Sequence, residues 1–266
     1  PVGFSPSGRH SERGSAVSCV LTVVTVVRND LNGLMRTGAS IADQEGMAES
    51  DVEWLIVDGS DEASRIVDQT LVAGLGVVAR VIYQEPCGIY AAMNEGLREA
   101  DGDFVLFLNA GDVFASTSAV TAIVEAVRQS ADVSWAVGRI RVIERGGRVV
   151  ESARWNFREE RANLFARGVF PPHQATVVRT ELLRSLGGFS SAYSIAADFH
   201  AASRLSLLAE PLLIDEVIAE FNEGGTSTVQ WKQASREFHR ARVEVFHPSG
   251  RLRLREYWHT GNQFVR

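Results

Sequence analysis

Four short segments of the 266-residue chain concentrate carboxylates, amides and glycines: Arg28-Asn29-Asp30, Asp58-Gly59-Ser60-Asp61, Glu85-Pro86-Cys87-Gly88 and Asn109-Ala110-Gly111-Asp112. A carboxylate beside glycine lets the backbone approach a ligand closely. Loop amides at helix N-termini add a potential that favours an anion. Segments of this kind, brought together, would grip a polar anionic small molecule. No G-x-G-x-x-G fingerprint follows the first apolar run, and no GxxxxGK[ST] loop occurs anywhere. Their absence disfavours nicotinamide-dependent oxidoreductase and kinase-like chemistry.

Each segment follows an apolar run that must position it. Residues 19–27 (CVLTVVTVV), 52–58 (VEWLIVD), 77–83 (VVARVIY) and 103–109 (DFVLFLN) are β-branched and nearly continuously apolar, as strands buried on both faces are. Helical patterns separate them at 31–44, 62–71 and 89–100, the last with Ile89, Met93, Gly96, Leu97 and Ala100 in register. Alternation of strand and helix predicts βαβ units and a Rossmann-like, doubly wound parallel sheet. In such sheets ligands bind outside the carboxyl ends of the strands, where the four segments lie. Beyond them a helix near 116–129 leads to strands at 133–145 and 148–155. The Arg145-Gly146-Gly147-Arg148 turn predicts that these two form an antiparallel hairpin. The fold class is α/β with an appended α+β half.

Length suits one large α/β domain, with 45% hydrophobic and 23% charged residues. A net charge of -6 argues against a nucleic-acid partner, whose affinity comes from Lys and Arg. Cys19 and Cys87 have no metal-ligand spacing and are expected to be reduced. The longest apolar run, 16–27, is too short to span a bilayer, and the polar residues 1–18 read as a flexible arm, so a cytoplasmic location is expected. From Gln230 onward eight Lys/Arg face three Glu among Trp231, Phe238, Phe246, Tyr257 and Trp258. This basic tail, 226–266, reads as amphipathic helices packed on the domain; the alternative is peripheral contact with the inner membrane face.

The blocks LTVVTVVRN (21–29), EWLIVDGS (53–60), GIYAAMNEGLREADGDFVLFLNAGD (88–112), HQATVVR (173–179) and IAADFHAASR (195–204) resemble family 2 glycosyltransferases of the GT-A fold, inverting and nucleotide-sugar dependent. The resemblance implies a domain over 19–225, with a nucleotide-sugar half (19–115) and an acceptor half (116–225). The implied donor is a UDP-, GDP- or dTDP-sugar and the implied acceptor a saccharide or a lipid-linked one. Oligomeric state is left open.

Residue by residue, the resemblance implies nucleotide contacts at Thr25, Val26, Arg28, Asp58, Ser60, Gly88, Asn109, Ala110 and Gly111. Asp58 would accept from a base N–H; its alternative is a helix cap. Asp112 matches the last acidic position of a D-x-D-type motif and would hold Mn²⁺ or Mg²⁺ on the diphosphate. Asn109 and Gly111 stand where many relatives carry Asp, and Ala91 likewise replaces an Asp. Tyr90, Met93, Asn94, His173 and Gln174 fall on the sugar and acceptor side, with Met93 also readable as core. Asp198 matches the catalytic base, and its alternative is a helix-start residue. Glu223 to Ser227 reads as a loop able to close over the donor. The rival to a transferase is a non-catalytic nucleotide-sugar-binding protein of the same fold.

Overall fold

The computed structural model describes residues 19–46, 48–61, 79–129, 132–224 and 230–247. The predicted helix at 62–71, the arm 1–18, residues 225–227 of the closing loop, and Tyr257 and Trp258 lie outside the described residues.

Strands β1 (Leu21–Val27), β2 (Val52–Asp58), β3 (Ala79–Tyr83) and β4 (Phe104–Phe107) run parallel in the order β3-β2-β1-β4. All seven residues of β1 are buried, because the strand lies between two cores. Leu21, Val23 and Val27 face one core with helix α1 (Leu31–Ala42), whereas Val24 and Val26 face the other with helix α2 (Ile89–Glu99). Each fully buried aliphatic side chain contributes about 1.5–3 kcal/mol. A Cβ on Gly96 of α2 would sit 2.3 Å from Val24 Cγ1, so only glycine permits this closeness of helix and strand.

The second half continues the same sheet. Strand β5 (Val113–Phe114) precedes helix α3 (Ala119–Arg128) and strand β6 (Trp135–Ile143). Strand β7 (Val149–Glu151) folds back on β6 across Arg145–Arg148, as the hairpin pattern predicts. Helix α4 (Phe157–Ala166), a short 3₁₀ turn (His173–Ala175), strand β8 (Thr176–Arg179), helices α5 (Thr180–Ser185) and α6 (Ala197–Leu208), strand β9 (Leu212–Asn222) and helix α7 (Trp231–Phe246) follow. The path is β3-β2-β1-β4-β8-β6-β9-β5, with β8 antiparallel to both neighbours and β9 parallel to β6. The appended half is therefore an extension of one sheet.

Helix α7 is no loose tail. Ala234, Ser235, Glu237, Ala241 and Arg242 are buried on it, and Phe238 packs edge-on against Phe199 of α6. Of the expected helical tail 226–266, the described residues 230–247 hold this one packed helix.

Candidate active site

The loop after β4 is shaped from within. Gly111 has φ +97°, and a Cβ there would meet nothing within 4 Å. Thr37 of α1 clamps the turn: its hydroxyl accepts from Gly111 N (3.0 Å) and donates to Asp112 O (2.7 Å). Asp112 Oδ2 accepts from Gln174 Nε2 (3.2 Å). Burial raises the Asp112 carboxyl pKa above the ordinary 3.8, against the pull of His173 and the Gln174 bond. Sequence reasoning missed Thr37; its signal, a lone hydroxyl on an apolar helix face, has no special pattern.

Two adjoining cavities meet at Ile89 and Asn109. The first, about 270 Å³, is lined by Val26, Arg28, Gly59, Pro86, Cys87, Gly88 and Ala110 among others. Gly88 (φ +99°) opens α2 here, and a Cβ on it would meet open space. Ser60 sits at this end of β2, its Oγ accepting from Asn29 N (2.8 Å). Asp58 is fully buried; Oδ1 accepts from Ser60 N (2.9 Å) and Oδ2 has no partner among the described residues. A buried carboxylate oxygen without a donor costs about 1–3 kcal/mol or more.

The second cavity, about 600 Å³, carries Tyr90, Asn109, Asp112, His173, Gln174 and Asp198 on its walls. Asp198 begins α6 and its side chain is 17% exposed. Its Oδ1 accepts from Phe199 N (2.8 Å) and from the Tyr90 hydroxyl (3.1 Å). The single proton of that hydroxyl is shared with Ile195 O at 2.6 Å, a three-centre bond. Burial, then the Asp198 charge, pushes the Tyr90 phenol far above its usual pKa, so it stays a donor. His173 Nδ1 lies 3.4 Å from Asp198 Oδ2, and its Nε2 lies 3.1 Å from Asn109 Nδ2. An amide N–H donating to Nε2 leaves the ring proton on Nδ1, facing the carboxylate. Asn109 Oδ1 is then buried without a partner.

Three expected contacts are corrected. The Thr25 side chain is fully buried, donating to Leu108 O (2.8 Å) and accepting from Trp54 Nε1 (2.9 Å), so it ties β1 to its neighbours instead of facing a ligand. Met93 is 0% exposed in the core beneath α2. Asn94 spends both amide atoms on the Phe189 backbone, at 2.7 and 2.8 Å. Ile89, expected on the core face of α2, is 46% exposed and lines both cavities.

Among the described residues no group of three His, Cys, Asp or Glu side chains could by itself hold a metal ion. The donor set around Asp112, one carboxylate in a cavity beside the unpartnered Asn109 oxygen, fits a hard cation that draws the rest of its shell from phosphate and water. No described helix is long and apolar enough to cross a membrane.

Residues 22–187 match Glycosyl transferase family 2. An uncharacterized glycosyltransferase of Mycobacterium tuberculosis, found in strains CDC 1551 and H37Rv, is 30% identical in a 220-residue match that covers 78% of this chain and 77% of the relative. The chain therefore belongs to glycosyl transferase family 2 and is a glycosyltransferase. Among solved structures it is similar to residues 1–349 of S. aureus TarS in complex with UDP (TM-score 0.64, 16% identity, 92% of this chain, 70% of that one). It is also similar to a Pyrobaculum calidifontis mannosyltransferase in complex with GDP-Man and Mn²⁺ (TM-score 0.61, 15% identity, 92% and 73%). It spans 40% of a longer TarS chain, with TM-score 0.62 and 18% identity. These likenesses place the fold in the GT-A class.

Proposed function

We propose that this chain moves a sugar from a nucleoside-diphosphate sugar to an acceptor hydroxyl with inversion, using Asp198 as base. One observation carries the reading: Asp112 and Asp198 line a single cavity, one at the end of the parallel half and the other at the start of α6. In this reading the 270 Å³ cavity takes the nucleoside, with Val26, Arg28, Gly88 and Ala110 against it, whereas Asp58, fully buried at the end of β2, lies off its lining. Residues 19–115 then serve the donor and residues 116–225 the acceptor.

Asp112 would hold Mn²⁺ or Mg²⁺, which supplies charge stabilisation for the departing diphosphate. Asp198 takes the proton of the attacking hydroxyl, while Tyr90 and the His173 ring fix the direction of its two oxygens. A UDP-, GDP- or dTDP-sugar fits the donor class, and a saccharide or lipid-linked hydroxyl fits the acceptor. Helix α7 commits its inner face to α6, so contact with the inner face of a membrane would fall to its outer face or to residues beyond 247.

Asn109 and Gly111, uncharged beside Asp112, favour a second reading: donor binding without transfer. Thermal melting with UDP, GDP and dTDP, each with and without Mn²⁺, tests binding first. A matching nucleotide at 100 times its Kd should add about 2.7 kcal/mol of stability. Release of the diphosphate from the matching donor sugar then separates the readings. Binding without release would leave the binding protein; no stabilisation by any nucleotide would remove both.

A further inference from the structure

The segment entering α6 has no cap of its own: Ala196 stands at the N-cap position and offers no side-chain bond. Its amides are instead gathered by a carboxylate from another helix. Glu237 Oε2 on α7 accepts from three consecutive backbone N–H groups, Ser194 (3.0 Å), Ile195 (2.8 Å) and Ala196 (3.0 Å). Its Oε1 accepts from Ser194 Oγ (2.7 Å) and from Gln233 Nε2 (3.1 Å). Successive amides converging on one oxygen form an anion-binding concavity, and a charge there also suits the positive end of α6. Glu237 is 9% exposed. Burial opposes its ionisation, yet the bonds from Ser194, Ile195, Gln233 and Ala196 hold its pKa at about 2.

The gathered segment touches the site at two points. The Ile195 carbonyl accepts the Tyr90 hydroxyl that also reaches Asp198, and Asp198 itself lies two residues beyond Ala196. We infer that Glu237 is a positioning residue for Asp198: by pinning residues 194–196 it sets the start of α6 and the Tyr90–Asp198 bond, so that α7 completes the active site. This rests on the reading of Asp198 as base. Glu237 lies outside the matched residues 22–187.

Every neighbour of Glu237 named above is a donor, so Glu237→Gln keeps the shape but turns an N–H₂ group towards other donors. With a displacement on the order of 1 Å, kcat should fall about 10²-fold. UDP-GlcNAc and GDP-mannose with Mn²⁺ serve as probes, with UDP or GDP release as the readout. Donor Kd should stay within about threefold and near-UV dichroism should be native. Glu237→Asp, which keeps the charge, should recover part of kcat; if the Gln variant does not fold, the Asp variant alone should still show lowered kcat at native donor Kd. The double variant with Asp198→Asn should be no slower than Asp198→Asn alone. Native kcat in a folded Gln variant, parallel loss of kcat and donor binding, or losses that multiply in the double variant would overturn the inference. Full turnover in Asp198→Asn alone would instead remove the assigned base, and is distinguishable because Glu237 is then untouched.

Discussion

The two adjoining cavities are built in different ways. The smaller is laid out by the parallel half: Val26 and Arg28 follow from β1, Gly59 from β2, Gly88 from the turn after β3 and Ala110 from β4, each within a few residues of its strand. The larger depends on contacts between distant segments. Tyr90 and Asp198 are 108 residues apart, Gln174 and Asp112 are 62 apart, and Ala196 and Glu237 are 41 apart. One site is inherited from local order and strand direction; the other exists only once α6 and α7 have docked. Chemistry attributed to the second should therefore be more easily lost by a change that leaves the first intact.

Replacing Asp198 by Asn tests that contrast most strongly. A lost general base should lower kcat by about 10²–10⁴-fold, with nucleotide affinity unchanged by calorimetry; a parallel loss of nucleotide binding would show that the cavities are not separable. Asp112→Asn comes next. Removing a charged contact worth about 1.5–3 kcal/mol should raise the Mn²⁺ concentration needed for donor binding by about 10–150-fold.

The same residue gives a pH dependence. Because burial raises the Asp112 pKa, protonation begins at higher pH than for a free carboxylate. Mn²⁺ binding should weaken on acidification starting above the ordinary value of 3.8, and Asp112→Asn should abolish that dependence. For folding the sign is opposite to that of an ion-paired carboxylate. A raised native pKa means that ionised Asp112 costs stability, in full above the native pKa; the cost shrinks as pH falls through that value and is gone below the unfolded one.

Smaller effects separate structural from ligand-facing residues. Thr25→Val leaves Trp54 Nε1 unpaired and should cost about 1–3 kcal/mol, lowering Tm by about 2–4 °C per kcal/mol, with nucleotide affinity retained. Loss of affinity at unchanged Tm would restore Thr25 as a ligand contact. Arg28 should behave in the reverse way. Its ion pair with Asp61 is long (3.9 Å) and exposed, so Arg28→Ala should shift stability by less than about 0.5 kcal/mol while weakening nucleotide binding.

The parallel half was legible in the order of residues alone. Buried β-branched runs, helical spacing and the rule that ligands gather at strand ends located Arg28, Gly88, Ala110 and Asp112 at the cavities before any packing was known. The family blocks added Asp198, His173 and Gln174, which the fold brings to the same cavity as Asp112. Side-chain direction was a different matter. Thr25, Met93 and Asn94 sit in the right blocks, but partners distant in sequence decide whether each faces a ligand. Trp54 and Leu108 take the Thr25 hydroxyl, and Phe189 takes the Asn94 amide. Tertiary structure alone also decided that β9 would lie parallel to β6 and that Glu237 would pin residues 194–196. The reason is physical: periodicity records which face of an element is apolar, whereas a hydrogen bond across 40 or 100 residues depends on how whole elements dock, and no local pattern records that.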